Sequence, residues 1–540
     1  MHQTAPTAVN AGYRAPRGLA IAAACFGLMF GARVSVAEPR EGEASASAAA
    51  PSLAAAPAPL TYDNRLRLLA APLRFDGEPL AGVVGLGFDL PVHEYWRLGV
   101  SGMRAVRGDR AGFYTAGFHG GLHVRDESPL GVEASLFVGA AGGGGTPTRG
   151  LALMPSAGVF VDLSDVTPQL GAVGVYAARL MVPSSSGGGT NLVLLAADFP
   201  WPALSAPGDR LGRVSGLEPD RHGVAARTVR ATWHAYVPVS SQEGRGGRDH
   251  RVGGVAGFEY RMQLLEPLFA SIDARGALFS HHAGYSELTV GAGAHYPPAS
   301  RVRLWARAGV GGAGGGGVDV GGGLLARGAL GLDADIPGPV HVGADMGLVD
   351  APLGELRALA AGVRVGVSEN VVRRRPFGAR ALAAEDVVGW RTLRVRPSHR
   401  TVFGLAQRNG EDVTSQLLGL KLDYLFGPHF YLSGQAAGSY DTAASGFVTG
   451  SFAAGLRSPP WHGLRLVGEM GAGAAGGGRA DIGYGLWVQP TAGVNYALTE
   501  SIALELLGGW AVAPQGGVSS PLIDAGLVYS FSTPTLRGAR

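Results

Sequence analysis

Cysteine, lysine, charge and long apolar runs are all scarce in this chain of 540 residues. Cysteine occurs once, at Cys25, which excludes a framework of internal disulfides. Lysine also occurs once, at Lys421. Charged residues make up only 16% of the chain, where about 25% is usual. No uncharged apolar run reaches the roughly 20 residues of a membrane-spanning helix, which argues against a helical membrane protein.

Glycine, in contrast, is abundant: it makes up 88 of the 540 residues, or about 16%, where about 7% is usual. The glycines have no period of three, which excludes a collagen. Long helical segments poor in glycine are missing, which disfavours an ordinary α/β enzyme. The high apolar content also excludes a disordered charged tail protein.

The N-terminus has the three parts of a secretory signal peptide. Arg14 and Arg17 precede the uncharged stretch 18–32, and small residues at Ser35 and Ala37 suit a cleavage site. We therefore predict a signal peptide over 1–37 and a linker rich in Ala, Pro and Ser over 38–60. Cleavage would remove the only cysteine and three arginines, so the mature chain would be nearly neutral. Such a chain has no electrostatic basis for binding nucleic acid.

From about residue 61 onward, apolar and polar residues alternate with the period of a β-strand. In the segment 268–278, for example, Ile272 and Ala274 lie on one face, and Asp273 lies on the other. Alternating segments of about ten residues are typical of transmembrane β-strands. The charged residues of the polar faces are predicted to face the interior of a barrel, where they either solvate it or tune selectivity: Asp273, Arg275, Arg303, Arg307, Lys421, Asp423, Arg465 and Glu469.

The sequence also repeats internally. Three similar glycine runs begin at Gly139, Gly311 and Gly473, and each follows a strand with similar flanks. The predicted order after the linker is repeat 61–199, connector 200–225, repeat 226–367, Arg-rich connector 368–389, repeat 390–531 and tail 532–540. Because a strand in hydrocarbon must pair both of its edges, the fold class is predicted to be an all-β transmembrane antiparallel barrel. Three repeats of about eight strands favour one large barrel of about 24 strands, and three tandem eight-stranded barrels are the alternative.

The last predicted strand reads Asp524-Ala-Gly526-Leu-Val-Tyr529-Ser-Phe531. It resembles the C-terminal signature of Gram-negative outer-membrane β-barrel proteins, which has a polar residue, then glycine, then a hydrophobic and an aromatic residue. The resemblance carries over to Asp524, Gly526, Tyr529 and Phe531, and implies recognition of this strand by the barrel-assembly machinery. Nine residues follow Phe531, whereas the family usually ends at the aromatic residue.

Together these features favour an integral protein of the outer membrane, with lipid and the barrel-assembly machinery as partners. A pore or translocation channel is the first interpretation. The alternative is an anchor or structural component of an envelope-spanning machine for polysaccharide export or motility, with periplasmic partner proteins. A secreted Gly-rich adhesin is a third interpretation. No catalytic motif, metal-ligand spacing or phosphate-binding loop is recognisable, so no enzymatic activity, metal or cofactor is expected.

Overall fold

The computed structural model describes most of the chain after residue 63. The described residues are 64–74, 81–125, 128–143, 149–164, 166, 170–184, 189–201, 203–214, 217–218, 221–239, 253–297, 301–336, 340–374, 380–383, 386–441 and 443–536. The predicted signal peptide and linker lie outside these residues. Among the described residues, no helix is long and apolar enough to cross a membrane.

The described part of the chain folds into antiparallel strands that form three successive barrels. Barrel 1 contains β1 Arg65–Leu73, β2 Ala81–Pro91, β3 Trp96–Arg107, β4 Tyr114–Arg125, β5 Leu130–Gly142, β6 Gly150–Asp162, β7 Ala172–Leu180 and β8 Thr190–Pro200. A two-residue strand, β9 Ala206–Pro207, follows.

Barrel 2 contains β10 His222–Pro238, β11 Gly253–Leu265, β12 Leu268–Ala277, β13 Ser286–Tyr296, β14 Val302–Gly314, β15 Leu324–Asp335, β16 Val340–Asp350 and β17 Arg357–Arg374. Barrel 3 contains β18 Val388–Ala406, β19 Asp412–Leu425, β20 Phe430–Ser439, β21 Val448–Arg457, β22 Leu464–Gly476, β23 Leu486–Ala497, β24 Ile502–Val512 and β25 Ser519–Leu536. Each barrel is an up-and-down meander, because consecutive strands pair with each other.

The first and last strands of each repeat pair, and this pairing corrects the preferred prediction of one barrel with about 24 strands. In barrel 1, β1 pairs with β8 from Arg65 opposite Pro200 onward. Likewise β10 pairs with β17 in barrel 2, and β18 pairs with β25 in barrel 3. Eight strands are enough to close a sheet, so each repeat satisfies its own edge hydrogen bonds without its neighbours. The alternative of three tandem eight-stranded barrels is therefore the observed arrangement.

Several strands extend beyond the ends of the predicted repeats. The four longest, β10, β17, β18 and β25, contain 17, 18, 19 and 18 residues. The extra length lies at one end of the barrels, where β17 meets β25 through Val371 and Thr535. The short β9 also pairs with β25 there, and Ser532–Leu536 belongs to β25. We call this the terminal end, because both the first and the last described strand reach it, and the opposite end the loop end.

At the loop end, each barrel contacts the next through glycine. Gly112, Gly284 and Gly446 hold equivalent places in the loop after the third strand of each barrel, with φ of 91°, 99° and 84°. A Cβ on Gly314 of barrel 2 would lie 2.5 Å from the nitrogen of Gly112 in barrel 1. A Cβ on Gly476 of barrel 3 would lie 2.1 Å from the nitrogen of Gly284 in barrel 2. These backbones approach so closely that a side chain would force them apart.

The third contact completes a cycle. A Cβ on Gly142 of barrel 1 would lie 3.7 Å from the nitrogen of Gly446 in barrel 3. Barrel 1 therefore contacts barrel 2, barrel 2 contacts barrel 3, and barrel 3 contacts barrel 1, each through the same pair of loop positions. The three repeats form a pseudo-threefold arrangement within one polypeptide, comparable to a cyclic trimer whose contacts are all heterologous.

At the terminal end, the connectors pack into a small apolar cluster below barrels 2 and 3. Its members come from the connectors and from the extended strand ends, and they are all buried: Leu204, Val224, Val372, Leu382 and Val388. Backbone hydrogen bonds fix the first connector, where the Leu204 N–H donates to the Val372 carbonyl and the Val214 N–H donates to the Val388 carbonyl. The connectors are thus ordered structural elements over their described residues.

Candidate functional site: ion pairs inside the three barrels

The interior of barrel 1 is crossed by a buried arginine. Arg67 on β1 reaches Glu133 on β5, halfway around the barrel, with Nη1 2.5 Å from Oε1. It also contacts Asp198 at 2.7 Å and Asp89 at 3.4 Å. All four side chains are buried because alternate residues of each strand point into the closed sheet. A cavity between Asp89, Glu133 and their neighbours measures only about 10 Å³, which is at the lower limit for one water molecule.

The interior of barrel 2 holds a denser network of arginines and carboxylates. Arg364 lies 3.1 Å from Glu259 and 2.7 Å from Asp345. Arg230 on β10 forms a bidentate ion pair with Asp333 on β15, and the shorter of the two distances, from Nη2 to Oδ2, is 2.6 Å. The buried Trp305 stacks against two arginines, with the guanidinium carbons of Arg364 and Arg261 4.1 Å and 4.3 Å from its ring centroid. Such contacts favour a fixed, dry interior.

The interior of barrel 3 also holds buried ion pairs, which are formed by different residues. Lys421 on β19 pairs with Glu469 on β22, across the barrel. Arg394 lies 2.5 Å from Glu505, and Arg400 lies 2.7 Å from Asp524. Arg400 also donates hydrogen bonds to Gln435 and Gln489, which come from two further strands. In each of the three interiors, ion pairs and hydrogen bonds connect strands on opposite walls.

Six of the eight predicted inward charges lie in these networks. Asp273, Arg275 and Arg307 form one chain in barrel 2, in which both arginines approach Asp273 at 2.6 Å. Lys421 and Asp423 lie 3.3 Å apart in barrel 3. The sixth, Glu469, is the carboxylate that Lys421 reaches across the barrel.

Arg303 and Arg465 lie elsewhere, near strand ends at the terminal end. Arg303 pairs with the partly exposed Asp335 at 2.6 Å. Arg465 is half-buried, and its guanidinium lies 3.5 Å from the Ser458 carbonyl. Neither side chain takes part in the ion pairs at the centre of a barrel that the structure records.

The four residues of the assembly-signal motif lie on β25. Asp524 is buried inside barrel 3, where it contacts Arg396 and Arg400. Tyr529 and Phe531 lie on the outer face, and Phe531 packs in a cluster with Leu90 of barrel 1. A Cβ on Gly526 would lie 2.4 Å from the Pro397 carbonyl oxygen, so the motif glycine permits a close strand contact.

Several central residues are not among the sequence-based candidates. They comprise the whole of the barrel 1 network and the most connected groups of the other two: Arg67, Asp89, Glu133, Asp198, Arg230, Glu259, Arg364, Arg394, Arg396, Arg400 and Glu505. The sequence does indicate part of the barrel 3 network, because arginine recurs at every second position of the segment 394–400 except Ser398. In the strand 65–73, only Arg65 and Arg67 carry charge, so a single strand gives little indication of the network.

Outside the strands, Tyr440 is a half-buried titratable group in a loop of barrel 3. Its hydroxyl donates to Gln416 Oε1 at 2.7 Å and lies 2.7 Å from His399 Nε2. Burial, with a smaller contribution from Asp441, raises the pKa of Tyr440 to about 12. No group of three or more His, Cys, Asp or Glu side chains among the described residues is arranged to hold a metal ion.

The outer faces of the barrels are apolar, in contrast to the charged interiors. Aliphatic residues and methionine project from them, and many are about half exposed: Val159, Val175, Val193, Leu195, Leu330, Met346, Leu348, Val363, Leu466, Leu504, Leu506 and Ile523. Large aromatic residues are exposed near the terminal end: Tyr95, Trp96, Tyr296, Trp461 and Tyr496. The barrels therefore have a charged interior and an apolar exterior, which is the reverse of a soluble β-barrel.

No protein-family model and no curated protein matches this sequence. Comparison with solved structures gives remote similarities to barrels. The siderophore receptor PirA from Pseudomonas aeruginosa is 12% identical with a TM-score of 0.24, covering 86% of this chain and 80% of that one. The outer membrane protein OpdK from Pseudomonas aeruginosa is 12% identical with a TM-score of 0.23, covering 88% and 100%. The ferric enterobactin receptor PfeA is 10% identical with a TM-score of 0.28, covering 86% and 81%. At these scores, the fold assignment depends on the strand pairing of this chain.

Proposed function

We propose that this protein is an integral outer-membrane protein that serves as a three-barrel anchor in the cell envelope. The apolar outer faces support insertion into a bilayer, because exposed aliphatic side chains are favourable in hydrocarbon and unfavourable in water. Exposed aromatic residues near the terminal end, including Trp96 and Trp461, suit the boundary between hydrocarbon and headgroups.

The observation that carries the structural role is the filling of each barrel interior. Arg67, Arg230 and Lys421 each join strands across their own barrel. An eight-stranded barrel is just wide enough for its side chains to fill it. The wide aqueous lumen that a barrel of about 24 strands would provide is not formed, and ion movement would require buried ion pairs to separate. We therefore propose an anchor or structural component of an envelope assembly in place of a wide pore.

The terminal end is the proposed site for contact with the periplasm. Both ends of the described chain lie there, as do the ordered connectors. In this proposal, a periplasmic partner meets the connectors or the segment before β1, and the barrel-assembly machinery recognises β25 through Asp524, Gly526, Tyr529 and Phe531. Cleavage of a signal peptide after Ala37 is part of the same proposal.

Two measurements on the purified full chain test this function. In sucrose-gradient flotation, we expect the protein to migrate with outer-membrane vesicles. In planar bilayers, we expect no large conductance steps, while an open porin reconstituted in parallel gives them. A protein that remains in the aqueous fraction would contradict the membrane location. Regular large conductance steps from the wild-type chain would contradict the closed interiors and restore the pore.

A further inference from the structure

Barrel 1 carries a groove on its outer face that the function above does not use. The groove has a volume of about 730 Å³ and is formed by β6, β7, β8 and the end of β1. Its exposed, outward-pointing members include Ala157, Ala177 and Val193. The two alanines, which lie opposite each other on β6 and β7, leave a hollow where larger aliphatic residues would fill it. Because barrels 2 and 3 contact barrel 1 through β3, β4 and β5, and through Leu90 at the end of β2, this side of barrel 1 faces away from them.

The groove lies beside an incompletely paired seam. Between β1 and β8, six residue pairs extend from Arg65 opposite Pro200 to Ala70 opposite Leu195. The corresponding seam of barrel 2 is paired over all 17 residues of β10. Pro72, which lines the groove, has no N–H to donate. At the loop end, the Thr190 hydroxyl donates to the Arg74 carbonyl at 2.7 Å.

The loop end of the groove is basic. Arg74 and Arg179 line it, together with the polar Asn191. Both arginines are exposed, and among the residues that the structure describes neither forms an ion pair with a carboxylate. Apolar side chains lie along the groove toward the membrane centre, where Val175 and Leu195 are also exposed. An elongated apolar hollow that ends at two cations is complementary to an amphiphile with an acyl chain and an anionic head.

We propose that this groove is a binding site for an anionic membrane lipid. The acyl chain lies against Ala157, Ala177 and Val193, and the phosphate of the headgroup is bound by Arg74 and Arg179, with Asn191 as a further donor. The arginines supply planar donors that match phosphate oxygens. This inference rests on the proposed membrane location, but it makes a separate statement about one face of one barrel.

The test uses native mass spectrometry of the full chain in neutral detergent, titrated with phosphatidylglycerol or phosphatidylcholine. We expect the wild type to retain phosphatidylglycerol preferentially. Combining Arg74→Ser with Arg179→Ser should lower its affinity by about tenfold, and Ala177→Trp should lower the occupancy of both lipids by filling the hollow. The double arginine variant changes only exposed side chains, so it tests the headgroup contact even if Ala177→Trp fails to fold.

Matched controls come from the other barrels. Arg408 is exposed in the loop of barrel 3 that corresponds to the Arg74 loop, and Ala344 is exposed on β16, the seventh strand of barrel 2. Arg408→Ser and Ala344→Trp should leave binding unchanged. Equal retention of both lipids by the wild type, or full retention of phosphatidylglycerol by the double arginine variant, would overturn the proposal. Flotation of each variant with membranes is a separate measurement, so failure of this site and failure of the membrane location are distinguishable.

Discussion

At the scale of single residues, the molecule depends on charges that have no water around them. Arg67 is 6% exposed and lies among three carboxylates. Taking charges out of water is costly, and the cost is offset only while every partner is present. Removing one member of such a network therefore lowers the free energy of unfolding strongly, because the remaining members are left buried without a partner.

We predict that Arg67→Ala lowers the free energy of unfolding by about 3–5 kcal/mol, because Glu133, Asp89 and Asp198 then lose their shared cation. The measurement is urea unfolding in detergent micelles, followed by tryptophan fluorescence. The control is Arg357→Ala, which removes an exposed pair with Asp350 and should cost less than about 1 kcal/mol. Equal effects of the two substitutions would show that the interior ion pair has no special importance.

At the scale of strands and loops, glycine determines how closely the barrels approach. Gly476 ends β22, and a Cβ at this position would lie 2.1 Å from the backbone nitrogen of Gly284 in barrel 2. Earlier in the same strand, Gly468 has no neighbour within 4 Å of where a Cβ would lie. The contact between the barrels therefore requires glycine at position 476, whereas position 468 of the same strand has space for a side chain.

We predict that Gly476→Ala destabilises the contact between barrels 2 and 3 by roughly 1–3 kcal/mol, as overpacking usually does. Gly468→Ala on the same strand should be almost neutral. Limited proteolysis of the loop-end segments, together with thermal melting, measures the difference. If Gly476→Ala melts at the same temperature as Gly468→Ala and is no more sensitive to protease, the contact between the barrels is not tight.

Alternation along single strands predicted the all-β class and the inward orientation of Asp273, Lys421 and Glu469. It could not predict which strands close, because closure depends on hydrogen bonds between residues such as Val237 and Leu359, which are far apart in sequence. The interpretation of one large barrel came from adding the strands of three repeats, and the sequence does not show that each repeat closes on itself. Nor does a pattern in one strand indicate that Arg67 reaches Glu133 across a barrel.

At the scale of the whole molecule, the described part of the chain forms three closed eight-stranded barrels, and each barrel contacts the other two. Each barrel satisfies its own strand edges, and each contacts its two neighbours through equivalent loop positions. In the proposed location, the three joined barrels present a broad apolar surface to lipid and their terminal end to the periplasm, which suits an anchor. The absence of a shared lumen follows directly from the closing pairs of strands.

Disulfide trapping of the closing strands tests this central point most directly. In a Cys25→Ala background, Ala235→Cys and Ala361→Cys are opposed across the seam of barrel 2, and we expect them to form a disulfide on mild oxidation in membranes. In one continuous barrel, β17 would pair with β18 instead, and a symmetric hairpin would bring Thr401 opposite Ala361. We therefore expect no disulfide when Ala361→Cys is combined with Thr401→Cys. A disulfide in the second pair and none in the first would contradict three separate barrels.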